Sequence, residues 1–268
     1  MTKKNASQTL SDLISLKGKK ALITGAAVGI GRAIALRFAE AGADLQLVDM
    51  DARGLGAVRS QLSNLPQEIE TYRTDLATKE NIDALWEELA SKEPDILVNN
   101  AGIFPFKSFL EVDEAFLEKV MSVNLKSALW MCQHLIQRRL RKGGVIINVS
   151  SIEAILPFEK HLSAYSISKT GVIALTRSLA KEYGSYGFRV NALIPGGIVT
   201  PGTKAVAKEI TRGDLRLLRT GVEYKLRLPI GRSGHPDEVA RVTLFLASDL
   251  SSYVHGALIP VDGGFLSA

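Results

Sequence analysis

The chain has 268 residues, 46% of them hydrophobic and 23% charged, which excludes a disordered or low-complexity protein and suits one large folded domain. The formal charge of +5 lies mostly in residues 1–20, which carry a net +4, so the remainder is nearly neutral and nucleic-acid binding is a minor alternative. The single cysteine, Cys132, excludes an intrachain disulfide. With no signal-peptide core and no apolar run of membrane-spanning length, we expect a cytoplasmic protein without membrane contact.

Short apolar runs rich in Val, Leu and Ile alternate with segments of helical periodicity from residue 20 onward. The predicted strands are 20–23, 44–48, 68–73, 95–98, 145–149, 189–193 and 258–261. The predicted helices are 31–41, 52–63, 79–91, 113–141, 163–183, 204–224 and 236–247. This alternation predicts an α/β fold: a doubly wound parallel sheet of about seven strands, a Rossmann fold with helices on both faces.

Two segments lie outside this pattern. Residues 1–18 form an N-terminal extension, for which a mobile tail is the simpler interpretation and a short surface helix the alternative. Residues 19–268 form the single domain, and its basic, glycine-interrupted stretch near 200–230 is interpreted as a lid.

A glycine-rich turn follows the first predicted strand and opens a predicted helix. Gly25, Gly29 and Gly31 occur where such a turn lets the backbone approach a pyrophosphate, which the helix N-terminus attracts. Asp49 ends the second strand, where a carboxylate accepts hydrogen bonds from the adenosine ribose and repels a 2′-phosphate. We therefore predict NAD rather than NADP as cofactor. The alternative is that Asp49 only begins the turn before Asp51.

Tyr165 and Lys169 are four residues apart on one predicted helix, so they share a face. A nearby ammonium lowers the pKa of a phenol, which suits Tyr165 to general acid or base catalysis on a carbonyl or alcohol. Taken alone, the pair is equally typical of an amphipathic surface helix.

Seven motifs in one order resolve that ambiguity, because together they resemble the short-chain dehydrogenase/reductase family over residues 18–268. They are Thr24 to Gly31, Asn99-Asn100-Ala101-Gly102, Asn124, Ser150-Ser151, Tyr165 to Lys169, Pro195 to Thr200, and Val261-Asp262-Gly263-Gly264.

The resemblance implies four catalytic residues. Tyr165 would exchange a proton with the substrate oxygen, Lys169 would lower the pKa of Tyr165 and bind the nicotinamide ribose, and Ser151 would hold the developing oxyanion. Asn124 would anchor a water that connects Lys169 to solvent. Ser151 stands one residue further from Tyr165 than the family's usual spacing, and the alternation of side chains along a strand selects it over Ser150.

The resemblance also implies a set of cofactor contacts around NAD. Asp75 and Leu76 would meet the adenine, and Ile198 and Thr200 would orient the nicotinamide carboxamide. The full predicted set is Gly25, Gly29, Ile30, Gly31, Asp49, Asp75, Leu76, Asn99, Ala101, Gly102, Tyr165, Lys169, Pro195, Gly196, Ile198 and Thr200.

The predicted reaction is the interconversion of a secondary alcohol and its ketone with NAD. Glu153, in a Ser-Ser-x-Glu arrangement similar to that of some sugar dehydrogenases of the family, favours a sugar, polyol or sugar acid, although the carboxylate could equally face solvent. Phe104, Phe106 and Phe158 favour the alternative, an apolar ketone of the 3-oxoacyl or hydroxysteroid kind. A catalytically silent NAD sensor is a further alternative. We expect no metal site, and the resemblance implies a homotetramer through 113–141, 163–183 and the C-terminal segment.

Overall fold

The computed structural model describes residues 8–203, 224 and 226–268. Seven parallel strands form one sheet. The strands are β1 (Lys20–Thr24), β2 (Asp44–Asp49), β3 (Ile69–Arg73), β4 (Ile96–Asn99), β5 (Gly144–Val149), β6 (Phe188–Pro195) and β7 (Leu258–Val261). The central strands such as β1 and β4 are short runs of mainly apolar, buried residues.

The sheet order is β3-β2-β1-β4-β5-β6-β7, with every neighbouring pair parallel. The chain adds β2 and β3 on one side of β1, and then crosses back to add β4 and the later strands on the other side. The connections that follow the neighbouring strands β1 and β4 therefore lead in opposite directions. Ligands of open α/β sheets bind outside the carboxyl ends of the strands at such a point. The predicted fold class, a doubly wound parallel sheet, is confirmed.

Eight α-helices accompany the sheet within the described residues. They are α1 (Leu10–Ile14), α2 (Gly29–Glu40), α3 (Ala52–Gln61), α4 (Lys79–Glu88), α5 (Glu114–Met121), α6 (Ser127–Arg139), α7 (Ser163–Tyr183) and α8 (Pro236–Ala247). Apolar side chains of α2, α3 and α8, such as Phe38, Val58 and Leu246, pack against one face of the sheet. Side chains of α4, α6 and α7, such as Trp86 and Leu135, pack against the other.

The predicted helix 113–141 is wrong as one continuous α-helix. It consists of α5 and α6 joined by a π-helical turn, Ser122–Lys126, in which Asn124 is buried. A π-turn inserts a residue into the helical repeat and re-aims the side chains that follow, and such turns occur frequently at functional sites.

Residues 10–14 of the N-terminal segment form the short surface helix of the alternative interpretation, α1, and Leu16 is the first described residue of the segment that is buried. Thr9 caps α1 through a reciprocal pair of hydrogen bonds with Asp12. Leu16 is 1% exposed, and its N–H donates to the Ala41 carbonyl at 2.8 Å. The predicted helix 204–224 and most of the predicted lid lie outside the described residues.

Within the described part of the chain, no helix combines the length and the apolar character that crossing a membrane requires.

Candidate active site

The glycine turn lies at the carboxyl end of β1 and depends on glycine at two positions. Gly25 has a φ of +65°, and a Cβ added there would lie 2.9 Å from the Ala101 Cα. A Cβ at Gly31 would lie 2.1 Å from the Gly25 carbonyl oxygen. The turn is therefore a backbone cradle without room for side chains at these positions.

Helix α2 begins inside that cradle, at Gly29, after the N-cap residue Val28, whose side chain gives no capping hydrogen bond. The N–H groups of a helix's first turn lack intrahelical acceptors and attract anions. Bare backbone next to these N–H groups is what a pyrophosphate requires, so the residues present fit a dinucleotide.

Asn100 supports the glycine turn, a role that the sequence analysis missed. Its Nδ2 donates to the carbonyls of Thr24 at 2.9 Å and Gly25 at 3.1 Å, and the N–H groups of Asn100 and Ala101 donate to the Thr24 hydroxyl at 3.0 Å. The end of β4 thus holds the end of β1 in its sharp turn. An amide side chain such as that of Asn100 could have suggested a partner for the glycine turn, but only the sheet order shows that β4 lies beside β1.

Asp49 lies at the carboxyl end of β2 and faces the glycine turn. Its Oδ2 accepts the Ala27 N–H at 3.0 Å, and its Oδ1 accepts the Asp51 N–H at 3.0 Å. The carboxylate therefore braces the glycine turn and also begins the turn before α3, so the two sequence interpretations do not exclude one another.

The residues predicted to meet adenine follow β3. Asp75 is exposed and its Oδ1 accepts the Ala77 N–H at 3.0 Å, while Leu76 is 7% exposed. Both lie beside the carboxyl end of β2, on the same edge of the sheet as Asp49.

Asn99 does not direct its side chain to the sheet edge. Its Nδ2 donates to Asn148 Oδ1 at 2.8 Å and to Cys132 Sγ at 3.2 Å, inside the core. Its predicted contact with the cofactor is thereby limited to its backbone. Burial raises the pKa of the Cys132 thiol to about 12, so this cysteine is a small core side chain.

Tyr165, Lys169 and Ser151 meet at the carboxyl end of β5. Lys169 is 4% exposed, its Nζ donates to the Val149 carbonyl at 2.9 Å, and it lies 5.9 Å from the centroid of the Tyr165 ring. The Ser151 side chain lies close enough to the Tyr165 phenol to lower its pKa, whereas the Ser150 hydroxyl donates to the Lys169 carbonyl at 2.8 Å. The geometry therefore favours Ser151 over Ser150 beside the phenol.

Burial dominates the ionisation of both groups. It raises the pKa of the Tyr165 phenol to about 12, against the Ser151 side chain, which lowers it. It lowers the pKa of the Lys169 ammonium to about 8. In the chain by itself, the pKa of the Tyr165 phenol is therefore raised, because loss of solvation outweighs the lowering by the Ser151 side chain and the Glu153 charge raises the pKa further.

Asn124 lies behind this group, in the π-turn. Its Oδ1 accepts the Ile103 N–H and its Nδ2 donates to the Ile103 carbonyl, both at 2.8 Å. A Cβ at Gly102 would lie 3.2 Å from Asn124 Oδ1 and 3.3 Å from Lys169 Nζ. Asn124 and Lys169 thus border the same space, which a side chain at position 102 would occupy.

The segment after β6 closes the opposite side of the site. Thr200 approaches the glycine turn closely enough that a Cβ at Gly29 would lie 3.4 Å from its Cγ2. Tyr224 accepts a short hydrogen bond from the Gly197 N–H, and its ring lies 5.8 Å from that of Phe158. Tyr224 is a further residue that the sequence analysis missed, since no local pattern links it to Gly197.

These elements enclose a cavity of about 420 Å³. Of the predicted site residues, the cavity brings together Ile30, Gly102, Ser151, Tyr165, Lys169, Pro195, Gly196, Ile198 and Thr200. Its lining also includes five mainly apolar side chains: Phe104, Phe106, Phe158, Leu162 and Tyr224. The glycines of the turn and the residues at the ends of β2 and β3 lie outside this cavity, along the same edge of the sheet.

Histidines and acids do not gather into a metal site in the described ranges, where no three His, Cys, Asp or Glu side chains cluster suitably. His134 stacks on Trp86, with ring centroids 5.5 Å apart, and hydrogen-bonds Asp83 at 2.7 Å. His235 occupies the N-cap position of α8. Both roles are structural.

Comparison with known proteins shows a family to which the chain is similar. The model of a family described as enoyl-(acyl carrier protein) reductase matches residues 25–266.

Curated relatives with different substrates match over nearly the whole chain. A 3-oxoacyl-[acyl-carrier-protein] reductase of Thermotoga maritima is 37% identical over 254 residues, which cover 94% of this chain and 99% of the relative. An NAD-dependent glycerol dehydrogenase of Listeria innocua is 34% identical over 255 residues, covering 94% of this chain and 95% of the relative.

A solved structure shares the fold. A candidate NAD(P)-dependent gluconate 5-dehydrogenase from Beutenbergia cavernae, crystallised with NADP bound at low occupancy, matches with a TM-score of 0.88 at 35% identity, covering 96% of this chain and all of that chain.

Proposed function

Since this chain belongs to the short-chain dehydrogenase/reductase family, we propose that it is an NAD(H)-dependent enzyme that interconverts a secondary alcohol and its ketone. One observation carries the proposal: a buried phenol, Tyr165, lies with Ser151 and Lys169 in a cavity that Ile30 of the glycine turn also lines. Interconversion of an alcohol and a ketone moves a hydride to or from the dinucleotide and a proton to or from the enzyme, so it requires a proton-exchanging group and a dinucleotide site in one cleft.

The cofactor is held by groups distributed along the sheet edge. Gly25, Gly29, Ile30 and Gly31 offer the pyrophosphate cradle, and Asp49 faces the ribose position. Asp75 and Leu76 border the adenine position, and Asn99, Ala101 and Gly102 border the dinucleotide through their backbone. Pro195, Gly196, Ile198 and Thr200 flank the nicotinamide position. Bound NAD supplies hydride exchange at its nicotinamide ring.

The chain's own residues handle the proton and the substrate oxygen. In reduction, the neutral phenol of Tyr165 gives its proton to the oxygen of the substrate carbonyl and becomes a phenolate, and in oxidation the Tyr165 phenolate takes the hydroxyl proton of the alcohol. Ser151 donates a hydrogen bond to the same oxygen and stabilises its developing charge. Lys169 and Asn124, which both border Gly102, connect the phenol to the proton supply of the solvent.

The proposal of NAD over NADP is based on Asp49. Its carboxylate lies at the end of β2 against the glycine turn, and an anion there opposes a 2′-phosphate. The relatives do not decide the matter, because the Listeria innocua enzyme is NAD-dependent and the Beutenbergia cavernae protein was crystallised with NADP.

The proposed substrate is a sugar, polyol or sugar acid. The names of the glycerol and gluconate dehydrogenases support this class. Phe104, Phe106 and Phe158 in the cavity wall favour a second class, an apolar ketone of the 3-oxoacyl or hydroxysteroid kind. A silent NAD sensor is disfavoured because a regulatory site has no chemical need of the Ser151, Tyr165 and Lys169 set.

Two measurements test these proposals. Titration with NADH and NADPH compares the two affinities, and we expect NADH to bind more tightly. Turnover of glycerol, D-gluconate, ethyl 3-hydroxybutyrate and cholate with NAD, followed by NADH absorbance, then assigns the substrate class. Tight NADH binding without turnover of any of the four would favour the sensor.

We also propose that the protein acts as a cytoplasmic homotetramer on a small-molecule alcohol or ketone, without nucleic-acid or membrane partners. The tetramer is expected to use α5, α6, α7 and the C-terminal segment.

A further inference from the structure

Glu153 is a buried carboxylate beside the proposed catalytic group, and the chemistry above does not use it. It belongs to a short 3-10 turn, Ile152–Ala154, that directly follows Ser151, and it is 8% exposed. The expectation that this carboxylate faces solvent is therefore wrong. A charged group is rarely buried unless hydrogen bonds compensate the lost hydration.

Both oxygens of Glu153 accept backbone hydrogen bonds from the loop that precedes α7. Oε2 accepts the Phe158 N–H at 3.2 Å, and Oε1 accepts the Glu159 N–H at 3.1 Å. The Glu153 N–H donates to the Ser151 hydroxyl oxygen at 3.2 Å. Glu153 thus connects Ser151, the proposed oxyanion-binding residue, to the loop that precedes α7.

The two N–H groups belong to the part of the loop before α7 that lines the cavity. The Phe158 ring packs 5.8 Å from Tyr224 and 5.3 Å from Phe265 in centroid distance, in edge-on geometry. Phe158 and Glu159 both line the cavity. Loss of the two hydrogen bonds would release the backbone on which this wall depends.

The charges facing Glu153 come from its own loop and from α7. Burial raises the pKa of Glu153, the Glu159 carboxylate raises it further, and the two backbone N–H groups and Ser166 lower it. In turn, the Glu153 charge raises the pKa of Tyr165. Protonation of Glu153 would convert one carboxylate oxygen to an O–H group and remove the negative charge, which weakens its acceptance of the backbone N–H groups.

We propose that Glu153 is a positioning residue: its carboxylate holds the backbone of Phe158 and Glu159, and thereby fixes the apolar wall that selects the substrate. The link to substrate selection rests on the proposed function, whereas the restraint on the loop does not. Glu153 also lines the cavity, but both of its carboxylate oxygens are engaged by the loop backbone, so its proposed role is to restrain the loop.

Amide hydrogen exchange on the full chain tests the restraint without a substrate. At one pH, we expect exchange at Phe158 and Glu159 to be about tenfold faster in Glu153→Ala, with a smaller increase in Glu153→Gln, which keeps one acceptor oxygen. Glu182→Gln, the same charge change at an exposed position of α7, is expected to leave this segment unchanged. Equal exchange in wild type and Glu153→Ala would overturn the proposal.

Steady-state kinetics test the link to selection, with whichever of the four alcohols the wild type oxidises best. We expect KM to rise about tenfold in Glu153→Ala while kcat stays within about twofold. In the wild type, KM for that alcohol should rise as the pH falls through the raised pKa of Glu153, and this dependence should vanish in the alanine variant. A fall in kcat at constant KM would show that Glu153 acts on the chemistry and would overturn its assignment as a positioning residue.

The two readouts separate the possible failures. A wild type inactive on all four alcohols contradicts the proposed activity on these substrates, while the exchange rates still decide whether Glu153 restrains the loop.

Discussion

The phenol of Tyr165 tests the proposed chemistry most directly, because Phe differs from Tyr by one oxygen and keeps the packing against Phe104, whose ring centroid is 6.3 Å away. We expect Tyr165→Phe to lower kcat by about 10²–10⁴-fold, the range for loss of a general acid or base. Affinity for NADH, measured by fluorescence titration, should stay within about twofold. Tyr186→Phe, at a half-exposed position, is the control. An unchanged kcat in Tyr165→Phe would refute the role.

Lys169 is predicted to cost stability near neutral pH. Burial lowers its pKa from 10.5 to about 8, so below pH 8 the folded protein holds a buried ammonium. Between pH 8 and 10.5 the unfolded chain binds the additional proton, and stability therefore rises with pH over that interval. Lys169→Met removes this effect.

The expected result for Lys169→Met at pH 7 is a gain in unfolding free energy of about 2 kcal/mol, reduced by the unpaired Val149 carbonyl. The gain should shrink as the pH approaches 10.5, and the variant should be inactive. Urea unfolding of both proteins at pH 7 and pH 10 measures it. A variant that is less stable at pH 7 would show that packing or the hydrogen bond to Val149 outweighs burial of the charge.

Asp49 is predicted to set the choice between the two dinucleotides. Asp49→Asn keeps the size and one acceptor oxygen but removes the charge that opposes a 2′-phosphate. We expect the ratio of kcat/KM for NAD to that for NADP to fall about tenfold or more, equivalent to about 1.4 kcal/mol. Asp51→Asn, in the neighbouring carboxylate that caps α3, should preserve the ratio. An unchanged ratio in Asp49→Asn would remove the argument for NAD.

At the scale of elements, two helical glycines differ in what a methyl group would meet. In α2, a Cβ at Gly31 would overlap the Gly25 carbonyl oxygen, whereas in α3 a Cβ at Gly56 would meet nothing within 4 Å. Gly31→Ala is therefore expected to distort the glycine turn and weaken NADH binding about 100-fold or more. Gly56→Ala should bind normally and gain about 0.5–1 kcal/mol of stability from helix propensity.

Fluorescence titration and thermal unfolding of both variants make this comparison. Normal NADH affinity in Gly31→Ala would mean that the turn adapts and that the cradle does not depend on glycine there.

The central strands such as β1 and β4 were predictable because they are short apolar runs that are almost entirely buried, and the glycine turn because its spacing carries a backbone requirement. The break between α5 and α6 was not, since it depends on Asn124 bonding the backbone of Ile103, which is distant in sequence. The periodicity of apolar residues shows which face of a helix is buried, but it does not reveal the single residue that a π-turn inserts.

The candidate site likewise contains features that local sequence patterns predict and features that they do not. Tyr165 and Lys169 share a helical face by spacing alone, but the inward direction of Asn99 follows from Asn148 on the neighbouring strand. The burial of Glu153 follows from a loop that folds back over it. Such contacts join residues through tertiary structure, and local sequence carries no signal for them.

At the scale of the molecule, the sheet order explains why the two halves of the site coincide. Strands β1 and β4 are neighbours, so Asn100 can hold the glycine turn, and β5 beside β4 carries Ser151 to the same edge. Because all seven strands run in one direction, every loop that bears a predicted site residue emerges at that edge. The proposed cofactor cradle and the proposed proton-exchanging group therefore lie together because of one sheet topology.

Assembly is the remaining property of the whole molecule. Leu117 on α5 and Ile167 on α7 are 38% and 54% exposed, and apolar side chains on neighbouring helices suit burial against a second copy. We expect sedimentation equilibrium to give a tetramer, and Leu117→Lys to give a smaller species, because a lysine there would be desolvated in the interface. Leu10→Lys, on the surface helix α1, should leave the mass unchanged. A monomeric wild type would refute the assembly, and a tetrameric Leu117→Lys would place its interface elsewhere.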